Sequence, residues 1–196
     1  EAPSTHGAPP VLSFGVSWKN RWWARSAAFP TRLYFTEIFQ PQGWPALFFI
    51  DLPFQNGEEI NAIQPQGDTL LLMGQSQIFL VIGQTSLDFE VRPSLGAQSG
   101  AVGPLAVTLV EAGVAHASAE GVFIFDGATD RLLSHDLTPA WRDMVDSSPS
   151  TAVNQIPLVY DWREKELRVS VPKLSPTAAA GEWVLDLNRT REQEEP

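Results

Sequence analysis

The side chains able to do chemistry are few, and their spacing limits what they could do. Ser134, His135 and Asp136 supply the three residue types of a nucleophilic triad, but they are consecutive. A triad needs groups converging from separate elements, whereas neighbours on a strand or loop diverge. No Gly-x-Ser-x-Gly elbow accompanies them. His6, His116 and His135 are the only histidines, and none stands in a His-x-His or His-Glu-x-x-His spacing, so no zinc site is expected. His116 falls in an alternating stretch and is expected to be half-buried. The absence of cysteine excludes disulfides, thiolate metal sites, iron–sulfur clusters and thiol nucleophiles. It leaves the redox compartment open.

Acidic residues offer two further chemistries. Asp126-Gly-Ala-Thr-Asp130 has the look of a calcium loop, but lacks the third ligand position and the distant Glu of an EF-hand. Asp-Gly after a strand is first of all a turn, because both residues tolerate left-handed backbone. Glu37, Asp126, Asp161 and Asp186 are the candidates for a paired-carboxylate glycosidase site. Asp126 and Asp161 sit at strand-to-turn boundaries, where Asp is expected without any chemistry. Trp18, Trp22, Trp23 and Trp44 could stack on sugar rings, but large aromatics also fill small β cores. Core filling is the expectation for these four, and Trp162, in a charged turn, is expected to be exposed. Gly96 to Gly103 is not followed by Lys-Ser/Thr or a helix, so it is not a phosphate loop. Catalytic, cofactor-binding and metal residues are all expected to be absent.

The elements that would position such groups follow from composition and pattern. The chain has 196 residues, 43% of them hydrophobic, with seven Trp and eleven Phe. That is ample apolar surface to offset ordering entropy. Thirteen basic against 23 acidic residues give a net charge of −10, the wrong sign for coating phosphates. Lys19, Arg21 and Arg25 interleave with tryptophans but are too few to reverse it, so no stable nucleic-acid binding is expected. No apolar stretch approaches the ~20 residues of a membrane helix, and no membrane insertion is expected. The sequence begins Glu-Ala-Pro and reads as a cut or processed end.

Short apolar runs bounded by Gly, Pro, Asp or Gln-Ser predict strands at Thr69–Met73, Ile78–Ile82, Leu105–Val110, Val122–Phe125, Leu158–Tyr160, Leu167–Val171 and Trp183–Leu187. Unbroken runs such as Leu70-Leu-Leu-Met73 predict strands buried on both faces, as in stacked sheets. Pro139 to Val145 predicts the one helix, with Thr138 as its cap and Trp141, Met144 and Val145 on one face. Residues 1–10 read as a flexible arm, 11–188 as one β domain and 189–196 as a frayed acidic tail.

The chain also repeats. Thr69 to Gly83 aligns without a gap on Gly113 to Gly127, at an offset of 44 residues, each copy reading strand, tight turn, strand, Gly. Arg21–Ala24 with Arg32–Thr36, and Leu158–Asp161 with Leu167–Ser170, have the same order. A period near 45 residues with antiparallel strands is the size of one propeller blade. The expected fold is therefore all-β, a propeller-like array of about four antiparallel blades, either closed or part of a larger propeller. A meandering sandwich is the alternative.

The order of features resembles the propeller-like proteins of tailed bacteriophages, such as tail hub or nozzle proteins and related virion structural proteins. The resemblance is carried by Trp18-Lys-Asn-Arg-Trp-Trp23, Phe29-Pro-Thr-Arg-Leu-Tyr-Phe-Thr36, Pro41-Gln-Gly-Trp44 and Glu59-Ile-Asn-Ala-Ile63. It continues through Asp68-Thr-Leu-Leu-Leu72, Ile78-Phe-Leu-Val-Ile-Gly83, Gly100-Ala-Val-Gly-Pro104 and Gly121-Val-Phe-Ile-Phe-Asp-Gly127. Leu133-Ser134, Pro139-Ala-Trp141, Tyr160-Asp161 and Trp183-Val-Leu-Asp186 complete it. Members of that family are usually longer. The resemblance implies a virion location, no enzymatic activity, no cofactor, and partners that are other copies of the chain and adjacent tail or portal proteins. A carbohydrate-binding or glycoside-hydrolysing propeller module is the other functional class the residues leave open.

Overall fold

Strand, turn, strand is the local rule of this sequence, and four meanders result from it. In the computed structural model, which describes residues 10–171 and 181–187, sheet 1 holds β1 (Leu12–Trp18), β2 (Arg21–Ser26), β3 (Arg32–Phe35) and β4 (Phe49–Asp51). Sheet 2 holds β5 (Ala62–Gln66), β6 (Thr69–Met73), β7 (Ile78–Ile82) and β8 (Glu90–Pro93). Sheet 3 holds β9 (Val107–Val110), β10 (Gly113–Ala117), β11 (Val122–Phe125) and β12 (Asp130–Leu132). Sheet 4 holds β13 (Leu158–Asp161), β14 (Glu166–Val171) and β15 (Gly181–Asp186) among the described residues. In each sheet the strands are antiparallel and paired in chain order. The expected arm and acidic tail, and His6, lie outside the described residues, apart from Pro10.

Turn chemistry explains the meanders. Lys19 and Asn20, at φ 48° and 59°, join Trp18 to its partner Arg21. Positive φ at both central residues makes a two-residue hairpin whose twist matches its strands. Gly74 N–H donates to the Gln77 carbonyl and Ser118 N–H to the Gly121 carbonyl, each at 2.8 Å. These are equivalent positions of the two copies, as are Gly83 and Gly127, both at positive φ. The sequence repeat is thus a structural one: β6–β7 and β10–β11 are the second and third strands of their sheets, and β2–β3 match them in sheet 1. The fourth copy is displaced, because Leu158–Asp161 and Leu167–Ser170 form the first and second strands of sheet 4.

Side-chain alternation builds the core between sheets. Leu70 and Leu72 point toward sheet 1, where they join Trp23, Leu33 and Phe35; Leu71 and Met73 point toward sheet 3, where they join Val114 and Phe125. Ala115, Ala117, Val122 and Ile124 use the other face of sheet 3 to pack on Leu158, Leu167 and Val169 of sheet 4. Four sheets therefore share three apolar seams, and the continuous run Leu70–Met73 is buried on both faces as expected, each residue at 0% exposure. Fully burying one such side chain contributes about 1.5–3 kcal/mol. The first strands touch in succession, β1 with β5, β5 with β9 and β9 with β13, while β13 makes no comparable contact with β1.

Helix α1 (Thr138–Ser147) and the single turn α2 (Ser150–Val153) lie in the connection from sheet 3 to sheet 4. Trp141 and Met144 are buried in the seam, with Trp141 Nε1–H donating to the Ser118 carbonyl at 2.9 Å. Thr138 is the first helical residue rather than the cap; its hydroxyl donates to the Ser134 carbonyl, and a 3-10 turn, His135–Leu137, leads into the helix. The strand expected from Leu105 begins at Val107, because Gly103 to Ala106 is a turn closed by the Ala106 N–H on the Gly103 carbonyl.

The outermost strands β4, β8 and β12 are three or four residues long. They carry Asp51 paired with Arg32, Glu90 paired with Arg92, and Pro93. Short, charged, proline-bearing edges resist pairing with another chain.

Candidate functional site

Each chemically capable residue has a place in this scaffold, and most are consumed by it. Ser134 is buried and its Oγ accepts from Val122 N–H at 2.9 Å, whereas the His135 and Asp136 side chains are almost fully exposed. Adjacent residues diverge, so no triad forms. His116 is fully buried rather than half-buried, because it faces the 94–106 connection instead of solvent. Its Nδ1 lies 2.8 Å from the Gly100 carbonyl and its Nε2 3.0 Å from Asp130 Oδ1.

The two ends of the calcium-like loop do different work. Asp126 Oδ1 accepts the N–H groups of Ala128 and Thr129, both at 2.8 Å, closing its own turn. The Thr129 and Ala128 backbone bonds hold that carboxyl below the usual carboxylate range. Asp130 turns inward to His116 and accepts from Gln98 and Ser99 N–H through Oδ2. Among the described residues no three His, Asp or Glu side chains gather as a metal site.

The four glycosidase candidates stand on separate elements of three sheets. Glu37 lies in the turn after β3, bridged to Gln40 and facing the Arg21 charge. Asp161 Oδ1 accepts from Arg163 N–H at 3.0 Å, and Asp186 pairs in register with Glu166. Asp126 belongs to sheet 3. Asp161 and Asp186 stand in one row of sheet 4, each in register with Glu166 between them.

The basic residues among the tryptophans form no patch. Arg21 is buried with Nη1 on the Thr36 carbonyl, Arg25 pairs with Glu59 at 2.8 Å, and Lys19 lies 3.6 Å from Asp68. Burial pushes the Arg21 guanidinium below its ordinary value. The backbone of Gly96 to Gly103 is equally committed, with Gly100 and Ala101 N–H donating to Gln75 and Gly74 carbonyls.

A cleft of about 370 Å³ opens where the sheet-to-sheet connections meet, lined in part by Glu58, Glu59, Asn61, Gln75, Ser148 and Asn154. No motif pointed to it, since its walls come from three connections and the β6–β7 and β10–β11 turns, far apart in sequence. Its polar groups mostly hold those connections together. Glu58 accepts from the Gln75 and Ser76 N–H groups, Glu59 takes Arg25, and Asn61 donates to the Ala101 carbonyl at 2.8 Å.

The tryptophans divide by face. Trp18, Trp23 and Trp44 are core, as expected, whereas Trp22 is 42% exposed and Trp162 66%. Trp22 and Trp23 are neighbours on β2 and so project to opposite faces. Sheet 2 covers Trp23; the outer face carries Trp22. Register places Trp22, Ala24, Tyr34 and Phe49 on that outer face together with the Arg32–Asp51 pair. Leu47, in the turn before β4, is 84% exposed, and the Phe29 ring centroid lies 4.8 Å from the Arg32 guanidinium. The outer face of sheet 4 has Val159, Arg168 and Val184 in one row, with Val159 and Val184 exposed.

No helix among the described residues is long and apolar enough to cross a membrane. A comparison with protein-family models finds no match, and a comparison with curated proteins finds none either.

Proposed function

We propose that this chain is a propeller-like structural protein of a bacteriophage particle, of the tail hub or nozzle kind, that works by assembly and not by catalysis. Four consecutive meanders whose first strands touch in succession support an array of blades about an axis. Commitment of Asp126, Asp161, Ser134 and His116 to turns and internal hydrogen bonds supports a scaffold role. The observation that carries the reading is the outer face of sheet 1. An outer sheet face that carries the exposed Trp22 beside Tyr34 and Phe49 supports contact with a neighbour. The partners are other copies and adjacent tail or portal proteins. The net charge of −10 suits a lumen through which DNA slides, by like-charge repulsion.

The test is a mass-spectrometric inventory of purified phage particles from the source of this sequence. The chain is expected in several copies per particle, alongside portal and tail proteins. Its absence from particles while it is abundant in the host lysate overturns the assignment.

A carbohydrate-binding module is the second reading, favoured by the exposed Trp162, whose ring has Arg163 stacked 5.1 Å from its centroid. A glycan screen that gives binding abolished by Trp162→Ala would move the assignment there.

A further inference from the structure

The connection from sheet 1 to sheet 2 carries the chain's only Asn-Gly step, Asn56-Gly57. The two residues stand at φ 57° and 74°, and the Glu58 N–H donates to the Gln55 carbonyl at 3.1 Å. That single bond closes the turn. Both residues are exposed, and a Cβ at Gly57 would meet nothing within 4 Å. Among the described residues the Asn56 side chain and the Gly57 N–H have no hydrogen-bond partner.

The other described asparagines are committed. Asn20 precedes the buried Arg21, and its carbonyl takes the Phe39 N–H at 2.9 Å. Asn61 donates its amide to the Ala101 carbonyl and precedes the buried Ala62 of β5. After Asn154, the Gln155 N–H is spent on the Ala152 carbonyl at 3.1 Å. Asn188 lies outside the described residues.

We infer that Asn56 is a site of spontaneous deamidation, with water as its co-reactant, and that the reaction releases Glu58 from the groups it holds. The step is an attack within the chain. Hydroxide takes the Gly57 N–H proton, the nitrogen bonds to Asn56 Cγ, and the Cγ–Nδ2 bond breaks. Ammonia leaves and a cyclic imide remains. Water then opens the ring at one of its two carbonyls. Breaking the new bond to Cγ gives an aspartate at position 56. Breaking the original peptide bond gives an isoaspartyl link, in which the chain runs through Cβ and Cγ. Nothing is oxidised or reduced. Alignment for attack needs the Asn56 backbone to rotate out of the left-handed turn, and Gly57, lacking a Cβ, is free to follow.

The site matters because of its neighbours. Glu58 Oε2 accepts the Gln75 and Ser76 N–H groups at 2.9 and 3.0 Å, and its Oε1 accepts the Ser76 hydroxyl, tying the connection to the β6–β7 turn. On the other side of the Asn-Gly step, the Phe54 ring packs edge-on against Phe79 at 4.9 Å. The span from Phe54 to Glu58 is therefore pinned to sheet 2 at both ends. An isoaspartyl link adds one carbon to that span, and either product adds a negative charge beside Glu58 and Glu59. Both changes draw the Glu58 carboxylate off the N–H groups it holds. This inference is independent of the assembly reading.

The test is incubation of the whole chain at mildly alkaline pH, followed by peptide mass spectrometry and isoaspartyl methyltransferase labelling. Asn56 should convert at least about tenfold faster than Asn20, Asn61 and Asn154, and Gly57→Ala should slow it about tenfold. The rate should rise with pH, because hydroxide removes the proton of the attacking nitrogen. Asn56→Gln keeps the amide and the turn glycine but removes the reactive spacing, and should abolish the acidic species seen on ion exchange. In the converted chain, hydrogen exchange at Gln75 and Ser76 should quicken about tenfold relative to Gly74, whose N–H stays on the Gln77 carbonyl. Conversion at Asn56 no faster than at the other three, or an acidic species that survives Asn56→Gln, overturns the site. Unchanged exchange at Gln75 and Ser76 overturns the release of Glu58.

Discussion

His116 Nε2 lies 3.0 Å from Asp130 Oδ1, and neither side chain is exposed. The other ring nitrogen faces the Gly100 carbonyl, which only accepts, so Nδ1 carries a hydrogen. Asp130 Oδ2 accepts two backbone N–H groups, from Gln98 and Ser99. The pair is sealed between sheet 3 and the 94–106 connection, with the imidazole stacked on Phe123 at 5.7 Å.

Removing one partner of such a pair leaves the other's polar atoms buried without their hydrogen bond. His116→Ala should lower the unfolding free energy by about 1–3 kcal/mol for each polar group left unpaired, read from urea melts by tryptophan fluorescence. In a double-mutant cycle with Asp130→Asn, the two losses should fall well short of additive. Additive losses would mean that the two side chains act independently.

Gly83 and Gly127 end the two repeat copies at φ 122° and 109°. A Cβ at Gly127 meets nothing, whereas at Gly83 it runs into the Asp88 carbonyl and Phe89 backbone. Gly127→Ala should therefore cost only backbone strain, about 1–3 kcal/mol, and Gly83→Ala distinctly more. Thermal melts of the two variants decide this, and the reverse order would contradict the geometry.

Acid should unfold the chain through its turn and edge carboxylates. Thr129 and Ala128 N–H groups hold Asp126 below the usual carboxylate range, Thr85 holds Asp88 there, and the Arg32 guanidinium holds Asp51. The unfolded chain then binds these protons more readily than the folded one. Stability from these groups is complete above the ordinary value of about 3.9 and drains as pH falls through the lower native values. The urea midpoint should be flat from about pH 7 to about pH 5 and drop below about pH 4. Asp126→Asn keeps an oxygen acceptor for both N–H groups and removes the titration, so its midpoint should vary less with pH. An equal acid slope in the two proteins would clear Asp126 of any part in it.

Central strands were legible residue by residue. Thr69–Met73, Ile78–Ile82 and Val122–Phe125 are apolar at nearly every position and end at turn residues, and these local signals suffice to place a strand buried on both faces. The outer strands β4, β8 and β12 left no such trace, because three or four mixed residues become strands only when a neighbour offers hydrogen bonds. His116 was misjudged for a similar reason: its burial comes from Gly100 and Asp130, which local alternation does not report.

The sequence alone determined the β class, the central hairpins, the repeat of 44 residues and the lack of thiol chemistry, since each depends on neighbours along the chain or on composition. Only the tertiary structure decided which of two adjacent tryptophans is core. Trp22 and Trp23 are chemically identical and point to opposite faces; sheet 2 covers one and leaves the other to solvent. Covering a face is a long-range event, set by which sheet stacks on which, and residue type carries no record of it.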